Sequence, residues 1–302
     1  MSQEILVIGG TRYFGIRLVE ALLAAGDRVT IATRGRAPDP FGNRVRRIAV
    51  DRGGVTAMQA AFRETRFDVV YDQMCYGPDE AELAVQVFGG KVGRYLMTST
   101  LEVYDALHGR LKHAYREDDL DLAQAVHRPP TAYGEGKRRA EAVLLGAAGL
   151  PVATLRLAHV LGGAEDFTGR LRAYVERVLQ GQPLRHAATP GATSFIDVAG
   201  VVDLLVWAGR QDFVGPLNVA DRGDLTAPQL HGRIAARLGL PALYAVAGAA
   251  QEAGVLSAFD YAAPHCMDTG RAGALGWRFG AVDDWLEGLI DAHAAELAGA
   301  GA

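Results

Sequence analysis

The chain has 302 residues, of which 49% are apolar and 22% are charged, so it can bury a sizeable core and is long enough for one large or two modest domains. Its formal net charge of -4 does not indicate a protein that binds nucleic acid or a membrane surface, although a local basic patch is compatible with that total. Cys75 and Cys266 belong to no CxxC or Cys/His cluster, which predicts reduced thiols and no metal site.

The N-terminus runs directly into a strand pattern, without the basic and apolar regions of a secretory signal. No apolar stretch approaches the length of about 18 residues that a membrane span needs. We therefore expect a cytoplasmic protein with no membrane partner.

Strand and helix patterns alternate along the first half of the chain. Strands are predicted for EILVIGG, RVTIATR, RVRRIAVD, FDVVYDQM, RYLMTST and VATLRLAHVL. Helices are predicted between them for FGIRLVEALLAAG, TAMQAAFRE, DEAELAVQVFGG and AYGEGKRRAEAVLLGAAGLP. This alternation predicts an α/β fold with a Rossmann-type, doubly wound parallel sheet and right-handed crossovers.

The regular alternation ends near Gly162. An amphipathic helix, FTGRLRAYVERVLQGQP, is followed by the short strands TSFIDV and PLNVA and by a helical tail from Trp277. We predict a nucleotide-binding domain over residues 1–161 and a mainly substrate-binding region over residues 162–302. Short segments near residues 193–220 are expected to return to the first sheet.

The segment VIGGTRYFG runs from the first strand into the first helix through a glycine-rich turn. The pyrophosphate of a dinucleotide binds at such a turn, against the N-terminus of the helix. An arginine, Arg12, occupies the place where a third glycine is usual. The residues predicted to bind the cofactor here are Gly9, Gly10, Thr11, Arg12, Tyr13, Phe14 and Gly15.

The end of the second strand indicates which dinucleotide binds. An acidic residue about 20 residues past the glycines holds the ribose hydroxyls of NAD, whereas an arginine suits the 2′-phosphate of NADP. The segment IATRGR offers Arg34 and Arg36 and no acid, which favours NADP and leaves NAD possible. Asp51, at the end of the third strand, is a candidate for the adenine amino group or an ordinary loop aspartate.

The segment AYGEGK places Tyr133 and Lys137 four residues apart, on one face of a helix. A tyrosine has a reference pKa of about 10, and a neighbouring ammonium lowers it, so that the phenol can exchange a proton with a substrate oxygen. The strand end MTSTLEVY carries Thr98, Ser99 and Thr100, any of which can supply a hydroxyl for the same oxygen.

These motifs together resemble those of the extended and atypical short-chain dehydrogenases/reductases, the NAD(P)-dependent epimerase/dehydratase superfamily, over nearly the whole chain. The resembling segments are VIGGTRYFG, MTSTLEVY, YGEGKRRAE, LRLAHVLG and SFIDVAGVVDLL. The resemblance implies that Thr100 is the catalytic hydroxyl, that Tyr133 is the acid/base and that Lys137 holds the nicotinamide ribose. It also implies that Met74 and Cys75 line that ribose.

The GGTR[YF]xG form of the glycine motif is similar to an atypical branch that includes the chloroplast stem-loop-binding proteins. In that branch the arginine belongs to the fingerprint, which implies that Arg12 is a cation at the cofactor phosphates. The alternative is a surface arginine at a turn that has lost its glycine.

Two departures from the family concern the substrate. Nucleotide-sugar epimerases commonly carry a diphosphate-binding arginine where this chain has Thr193 and Ser194, and a second such arginine is missing from SAFDYAAPHCMD. Both absences lower the expectation of a nucleotide-sugar substrate. The arginines that can substitute are Arg170, Arg172 and Arg185. His159 is a candidate substrate contact or a histidine at the edge of the core.

The leading hypothesis is an NAD(P)-dependent oxidoreductase: a reductase, dehydrogenase or epimerase that transfers hydride to or from the carbonyl or secondary alcohol of a small molecule. One alternative is a nucleotide-sugar epimerase/dehydratase. Another is a non-catalytic, nucleotide-binding and RNA-associated protein, although the acidic net charge predicts no nucleic-acid partner.

A homodimer is the expected assembly if the family's four-helix interface occurs here. The apolar residues available for it are Leu83, Val87, Ala140, Val143 and Leu144. Burial beneath the protein's own sheet is the alternative explanation for some of these residues.

Overall fold

The structure is a computed structural model, and it describes residues 2–123, 132–246 and 257–300. It divides into two compact units. The first unit comprises Met1–Ala106, Glu117–Leu157 and Val201–Val219. The second comprises Leu107–Arg116, Ala158–Gly200 and Ala220–Ala302. The predicted boundary at residue 161 divides the chain once, whereas each of these units is assembled from three separate segments of the chain.

The strands, in chain order, are β1 (Glu4–Ile8), β2 (Arg28–Thr33), β3 (Arg46–Ala49), β4 (Phe67–Asp72), β5 (Val92–Thr100), β6 (Val152–Leu157), β7 (His159–Leu161), β8 (Leu184–His186), β9 (Ala192–Thr193), β10 (Phe195–Asp197), β11 (Gly215–Val219), β12 (Leu225–Thr226) and β13 (Tyr244–Val246). The helices are α1 (Phe14–Ala24), α2 (Val55–Ala61), α3 (Pro78–Phe88), α4 (Ala132–Gly146), α5 (Arg170–Leu179), α6 (Val198–Ala208), α7 (Ala227–Leu238), α8 (Gly270–Ala274) and α9 (Val282–Ala300).

The first unit is built on a seven-stranded sheet in the order β3-β2-β1-β4-β5-β6-β11. Every neighbouring pair in this sheet is parallel. The direction of strand addition reverses between β1 and β4, so a crevice opens beyond the carboxyl ends of these two strands, where ligands of such sheets bind. The prediction of a Rossmann-type α/β fold is confirmed.

Helices cover both faces of this sheet because successive strand residues point to opposite sides. On one side, Leu6 and Ile8 of β1 share a core with buried residues of α2, α3 and α4. On the other side, the hydroxyl of Tyr71 in β4 donates a hydrogen bond of 3.2 Å to the carbonyl of Leu205 in α6. The interior strand β1 is therefore almost entirely buried, as the sequence predicted, whereas the edge strand β3 is largely exposed.

The residues considered for a dimer interface lie in the core of the first unit. Leu83, Val87, Ala140 and Leu144 are buried there, and Val143 packs against it partly buried. The protein's own sheet and helices therefore account for this apolar face, and these residues give a homodimer no support.

The second unit has its own core, which α5, α7 and α9 build together with Leu161, Phe195 and Phe259. Short strands frame it: β7 pairs with β10, β9 with β12 and β8 with β13. The predicted strand TSFIDV thus joins β7, whereas PLNVA, as β11, pairs with β6 in the large sheet. No helix in the described part of the chain is long and apolar enough to cross a membrane.

A buried ion pair ties α4 to the large sheet. Arg156 in β6 and Glu141 in α4 are both fully buried, and their charged groups approach to 2.6 Å. Glu141 also accepts a hydrogen bond of 2.5 Å from the hydroxyl of Ser99 in β5. The guanidinium donates further to the Tyr104 hydroxyl at 2.7 Å and to the Glu117 carbonyl at 3.1 Å.

We predict that Glu141→Leu lowers the free energy of unfolding by about 3–5 kcal/mol, because it leaves the Arg156 charge buried and unpaired. Adding Arg156→Met to that variant should restore much of the loss, since no buried charge then remains. Urea denaturation followed by circular dichroism measures both effects.

The matched control is Arg237→Ala, which breaks an exposed ion pair with Asp291 and should cost less than about 1 kcal/mol. If Glu141→Leu costs no more than this control, the buried pair does not stabilise the fold.

Candidate functional site

The glycine-rich turn between β1 and α1 has a constrained backbone. Gly9 and Gly10 have φ values of 102° and 81°, a region that residues with a Cβ rarely adopt. Tyr13, the residue before α1, is buried with φ 52°, which is an unusual conformation for a bulky side chain. Strained positions of this kind cluster at ligand sites.

The N-terminus of α1 is suited to an anion. Its N-cap residue, Tyr13, makes no side-chain capping hydrogen bond, and the amides of Gly15 and Ile16 donate to the carbonyls of Arg12 and Tyr13 at 3.0 and 3.2 Å. Amides at a helix N-terminus carry partial positive charge and bind phosphate. Arg12 is exposed at the same turn. These residues fit the pyrophosphate of a dinucleotide.

Gln73 contacts this turn, although it was not among the residues predicted from the sequence. Its side-chain oxygen accepts a hydrogen bond of 3.2 Å from the amide of Gly10. Its Nε2 atom is buried without a hydrogen-bond partner among the described residues. The signal that was available is its position directly after β4, at the reversal of strand order.

The start of the loop after β4 is fixed by a buried ion pair between Asp72 and Arg52. Asp72 accepts hydrogen bonds from the Arg52 guanidinium at 2.7 Å and from the Tyr95 hydroxyl. Its second oxygen accepts the amide of Met74 at 2.9 Å. Burial raises the pKa of the neighbouring Cys75 thiol to about 12, so this cysteine lines the loop as a neutral group and is a poor nucleophile.

Arg34, predicted to select the nucleotide, and Asp51, a candidate contact of the adenine amino group, lie at the ends of neighbouring strands. Arg34 follows β2 and is exposed. Asp51 follows β3, is exposed, and accepts a hydrogen bond of 3.1 Å from the amide of Gly53. Both are at the carboxyl ends of their strands, on the side of the sheet where the glycine turn lies.

Tyr133 and Lys137 lie one turn apart in α4, as predicted, but in different environments. Tyr133 is 47% exposed, whereas Lys137 is 1% exposed. The ammonium donates a hydrogen bond of 2.7 Å to the carbonyl of Thr98 in β5 and lies 6.0 Å from the centroid of the Tyr133 ring. Burial lowers the pKa of Lys137 to about 8, because an ammonium loses its hydration there.

The hydroxyls at the end of β5 point to opposite sides of the sheet. Ser99 is committed to Glu141 in the core. Thr100, the last residue of β5, is 9% exposed, and its hydroxyl oxygen accepts the amide of Glu102 at 3.2 Å. That bond uses an oxygen lone pair of Thr100 and leaves its hydroxyl hydrogen for another acceptor.

His159 and Arg170 lie in the second unit, where they contact each other. Arg170 donates to Nδ1 of His159 at 3.2 Å, and Nε2 of His159 lies 2.9 Å from the Tyr261 hydroxyl. A guanidinium has no acceptor, so this geometry assigns the proton of the neutral imidazole to Nε2. Burial, and then Arg170, lower the pKa of His159 well below its usual value. His159 is therefore a neutral group with both ring nitrogens engaged.

Thr193 and Ser194 are fully buried in the second unit. Thr193 donates to the carbonyl of His265 at 3.0 Å, and Ser194 donates to a carboxylate oxygen of Asp224 at 2.6 Å. These hydroxyls fix the neighbouring chain segments. Within the described ranges, no group of three or more His, Cys, Asp or Glu side chains is placed to hold a metal ion.

Comparison with known proteins supports the cofactor-binding part of this arrangement. Residues 5–88 match the model of the NAD dependent epimerase/dehydratase family. This segment contains the glycine turn, the first four strands and the loop after β4.

Two curated proteins are similar to parts of the chain. The chloroplast stem-loop binding protein of 41 kDa b from Arabidopsis thaliana is 26% identical over 174 residues, which cover 53% of this chain and 43% of that protein. The 2'-dehydrokanamycin reductase of Streptomyces kanamyceticus is 28% identical over 153 residues, 48% of this chain and 42% of that protein. Each match spans less than half of the relative's length.

The fold extends this similarity along the chain. The crystal structure of the UDP-glucose 4-epimerase of Thermus thermophilus in complex with NAD superimposes with a TM-score of 0.72, covering 96% of this chain and 98% of that one at 21% identity. Residues 5–88 thus match the NAD dependent epimerase/dehydratase family model, and the chain as a whole shares the fold of a solved UDP-glucose 4-epimerase.

Proposed function

We propose that the protein is an NADP(H)-dependent oxidoreductase that transfers hydride to or from a secondary alcohol or ketone of a small molecule. The observation that carries the proposal is the half-exposed Tyr133 one helical turn before the buried ammonium of Lys137. A proton-transfer group needs solvent or substrate on one side and a fixed charge on the other, and this pair has both.

The pair is connected to the glycine turn by the loop after β4. The Met74 side chain lies 3.2 Å from the place that a Cβ on Gly9 would occupy. Two residues later, the ring of Tyr76 packs on Lys137 at 4.5 Å. The loop after β4 therefore contacts both the glycine turn and Lys137, which supports a cofactor and a proton-transfer pair on the first unit.

The cofactor supplies the hydride, and this chain's residues bind and orient it. The amides at the N-terminus of α1 and Arg12 would hold the pyrophosphate, Arg34 the 2′-phosphate, and Lys137 the nicotinamide ribose. NADP is preferred in this proposal because the end of β2 offers an exposed arginine and no acid.

Proton transfer at the substrate oxygen is the task of Tyr133. The ammonium of Lys137 favours the phenolate and so lowers the pKa of the Tyr133 phenol towards the working pH. Thr100 donates its hydroxyl hydrogen to the same substrate oxygen and orients it. A substrate oxygen between these two hydroxyls gains or loses its proton as hydride is transferred at the adjacent carbon.

The proposed substrate carries no diphosphate. In the second unit, Thr193 and Ser194 are buried, and the guanidinium of Arg170 is shared between His159 and the Val160 carbonyl. A diphosphate needs cations that it can reach, and these residues do not offer one. The similarity to a reductase of 2'-dehydrokanamycin is consistent with a polar, non-nucleotide ketone.

A nucleotide-sugar epimerase is the second candidate, because the solved epimerase shares the fold over almost the whole chain. It requires another cation for the diphosphate, and the exposed Arg185 of β8 is a candidate for that role. A non-catalytic RNA-associated protein is the third candidate, since one partial relative is a stem-loop binding protein.

One experiment separates these candidates. The purified protein is denatured, and any released nucleotide and small molecule are identified by mass spectrometry. We expect NADP(H) and no nucleotide sugar. A released nucleotide sugar selects the epimerase, whereas RNA that survives washing at moderate salt, with no oxidation of NADPH on a carbonyl panel, selects the RNA-associated protein. A cytoplasmic location and a homodimer remain further predictions, and sedimentation measures the latter.

We predict that NADPH binds more tightly than NADH by at least about tenfold, the value of one charge-assisted hydrogen bond. Arg34→Ala should reduce this difference in affinity by removing the partner of the 2′-phosphate. Fluorescence titration with each cofactor measures the two affinities. Arg63→Ala, at an exposed arginine after α2, is the control and should leave the difference unchanged. Equal affinities in the parent protein contradict the NADP assignment.

We predict that Tyr133→Phe retains cofactor binding and lowers turnover by roughly 10²–10⁴-fold, because the ring remains and the ionisable oxygen is lost. Thr100→Val should mainly slow turnover, since it mispositions the substrate oxygen. Lys137→Ala should weaken cofactor binding as well as turnover. Steady-state kinetics on a carbonyl substrate and cofactor titrations distinguish the three. Full activity in Tyr133→Phe would show that other residues carry the chemistry.

We predict an alkaline limit to cofactor binding. The pKa of Lys137 is lowered to about 8, so the ammonium that binds the ribose is present below that pH and lost above it. Affinity should be constant below pH 8 and then fall by up to about tenfold per pH unit. Cofactor titrations between pH 6 and pH 10 measure the limit. Lys137→Met is the control, and an unchanged alkaline limit in that variant rules out Lys137 as its source.

A further inference from the structure

The ring of Tyr76 lies against the ammonium of Lys137. The Lys137 nitrogen is 4.5 Å from the centroid of the Tyr76 ring and 6.0 Å from that of Tyr133. The two rings are neighbours, with centroids 6.3 Å apart. Tyr76 is 46% exposed, so its outer side is open while its inner side contacts the buried cation.

The backbone fixes Tyr76 in this position. A Cβ on Gly136, the residue before Lys137, would lie 2.4 Å from the carbonyl oxygen of Tyr76. Only a glycine allows α4 to approach the loop this closely. Gly136 therefore brings the loop after β4 into direct contact with the helical turn that carries Tyr133 and Lys137.

The nearby carboxylates are not ion partners of Lys137. Asp72 and Glu141 are each bonded to a buried arginine, and the Cys75 thiol is neutral because burial raises its pKa. Within the residues that the structure describes, no carboxylate, including Glu80, lies within 4.0 Å of the ammonium. The ammonium's close polar contact is the carbonyl of Thr98.

We propose that Tyr76 is a positioning residue for Lys137, whose aromatic face keeps the buried ammonium charged and in place where a carboxylate would usually do so. This inference rests on the proposed function, because it assigns to Lys137 the tasks of binding the ribose and assisting Tyr133. A cation over an aromatic face is stabilised by the ring quadrupole, and more strongly when it is desolvated.

A ring has an advantage over a carboxylate at this point. A carboxylate would accept hydrogen bonds from the ammonium and would offset its effect on Tyr133. An aromatic face accepts no strongly directed hydrogen bond, so the N–H groups of Lys137 stay available to the ribose hydroxyls. The loop proposed to line the ribose thereby also supports the cation.

The charge state of Lys137 is measurable without cofactor. The chain has three lysines, Lys91, Lys112 and Lys137. Protein labelled with ¹³C at lysine Cε gives three signals that can be titrated by NMR, and Lys91→Arg and Lys112→Arg assign the third by elimination. Tyr76→Leu removes the aromatic face and keeps an apolar side chain, whereas Tyr76→Phe keeps the face and removes only the hydroxyl. Circular dichroism confirms that both variants are folded.

We expect the Lys137 titration to move downward by roughly 0.5 to 1.5 pH units in Tyr76→Leu. In Tyr76→Phe it should stay at the parent value. An unchanged titration in Tyr76→Leu overturns the proposal, and so does an equal displacement in Tyr76→Phe, because the hydroxyl would then be responsible. Both variants keep Asp72, Glu80 and Glu141, so the electrostatic effect of these carboxylates on Lys137 is the same in each.

Cofactor titration at pH 7.5 gives the second readout. Tyr76→Leu should weaken NADPH binding about 3- to 30-fold, while Tyr76→Phe and the control Phe167→Leu, at a 71% exposed side chain of the second unit, should bind as the parent does. If the parent protein binds no nicotinamide cofactor, the proposed function fails, and the NMR titration still decides whether Tyr76 holds the charge of Lys137.

Discussion

The buried ion pair between Arg156 and Glu141 is the interaction on which the arrangement of the first unit depends. Glu141 lies one helical turn beyond Lys137 in α4, and Arg156 lies in β6 next to β5. Because two desolvated charges tolerate little displacement, the pair sets the position of α4 along the sheet. Ser99 adds a third anchor on β5. The helix that carries Tyr133 and Lys137 is thus fixed relative to the strand that carries Thr100.

A second buried charge pair performs the same task for the loop after β4. Arg52 and Asp72 hold the base of the loop, and the backbone contact at Gly136 holds its far side. Between these two points the loop presents Met74 towards the glycine turn and Tyr76 towards Lys137. The glycine turn is therefore coupled to Tyr133 and Lys137 through this loop, whose position is set by a backbone contact and by buried charges.

The second unit uses its polar residues in a different way. Histidines and tyrosines there engage one another, as in the chain from Arg170 through His159 to the Tyr261 hydroxyl. His265 is buried, burial lowers its pKa to about 3, and its ring stacks on Tyr261 with centroids 4.5 Å apart. The histidines and tyrosines of this network are neutral groups bonded to one another, and Arg170 contributes one positive charge to it.

The sequence by itself determined the parallel sheet, the glycine turn and the pairing of Tyr133 with Lys137, because each depends on local periodicity or on a spacing of a few residues. Only the tertiary structure decided which of these groups are buried and what they contact. The hydrogen bonds of Lys137 to Thr98, of Gly10 to Gln73 and of Arg170 to His159 join residues that are 39, 63 and 11 positions apart. No local pattern encodes such contacts, because they arise where separate strands and helices pack against one another. The contact of the Tyr76 ring with Lys137 is of the same kind. It exists because a loop and a helix pack together at Gly136, and local sequence patterns do not predict such packing.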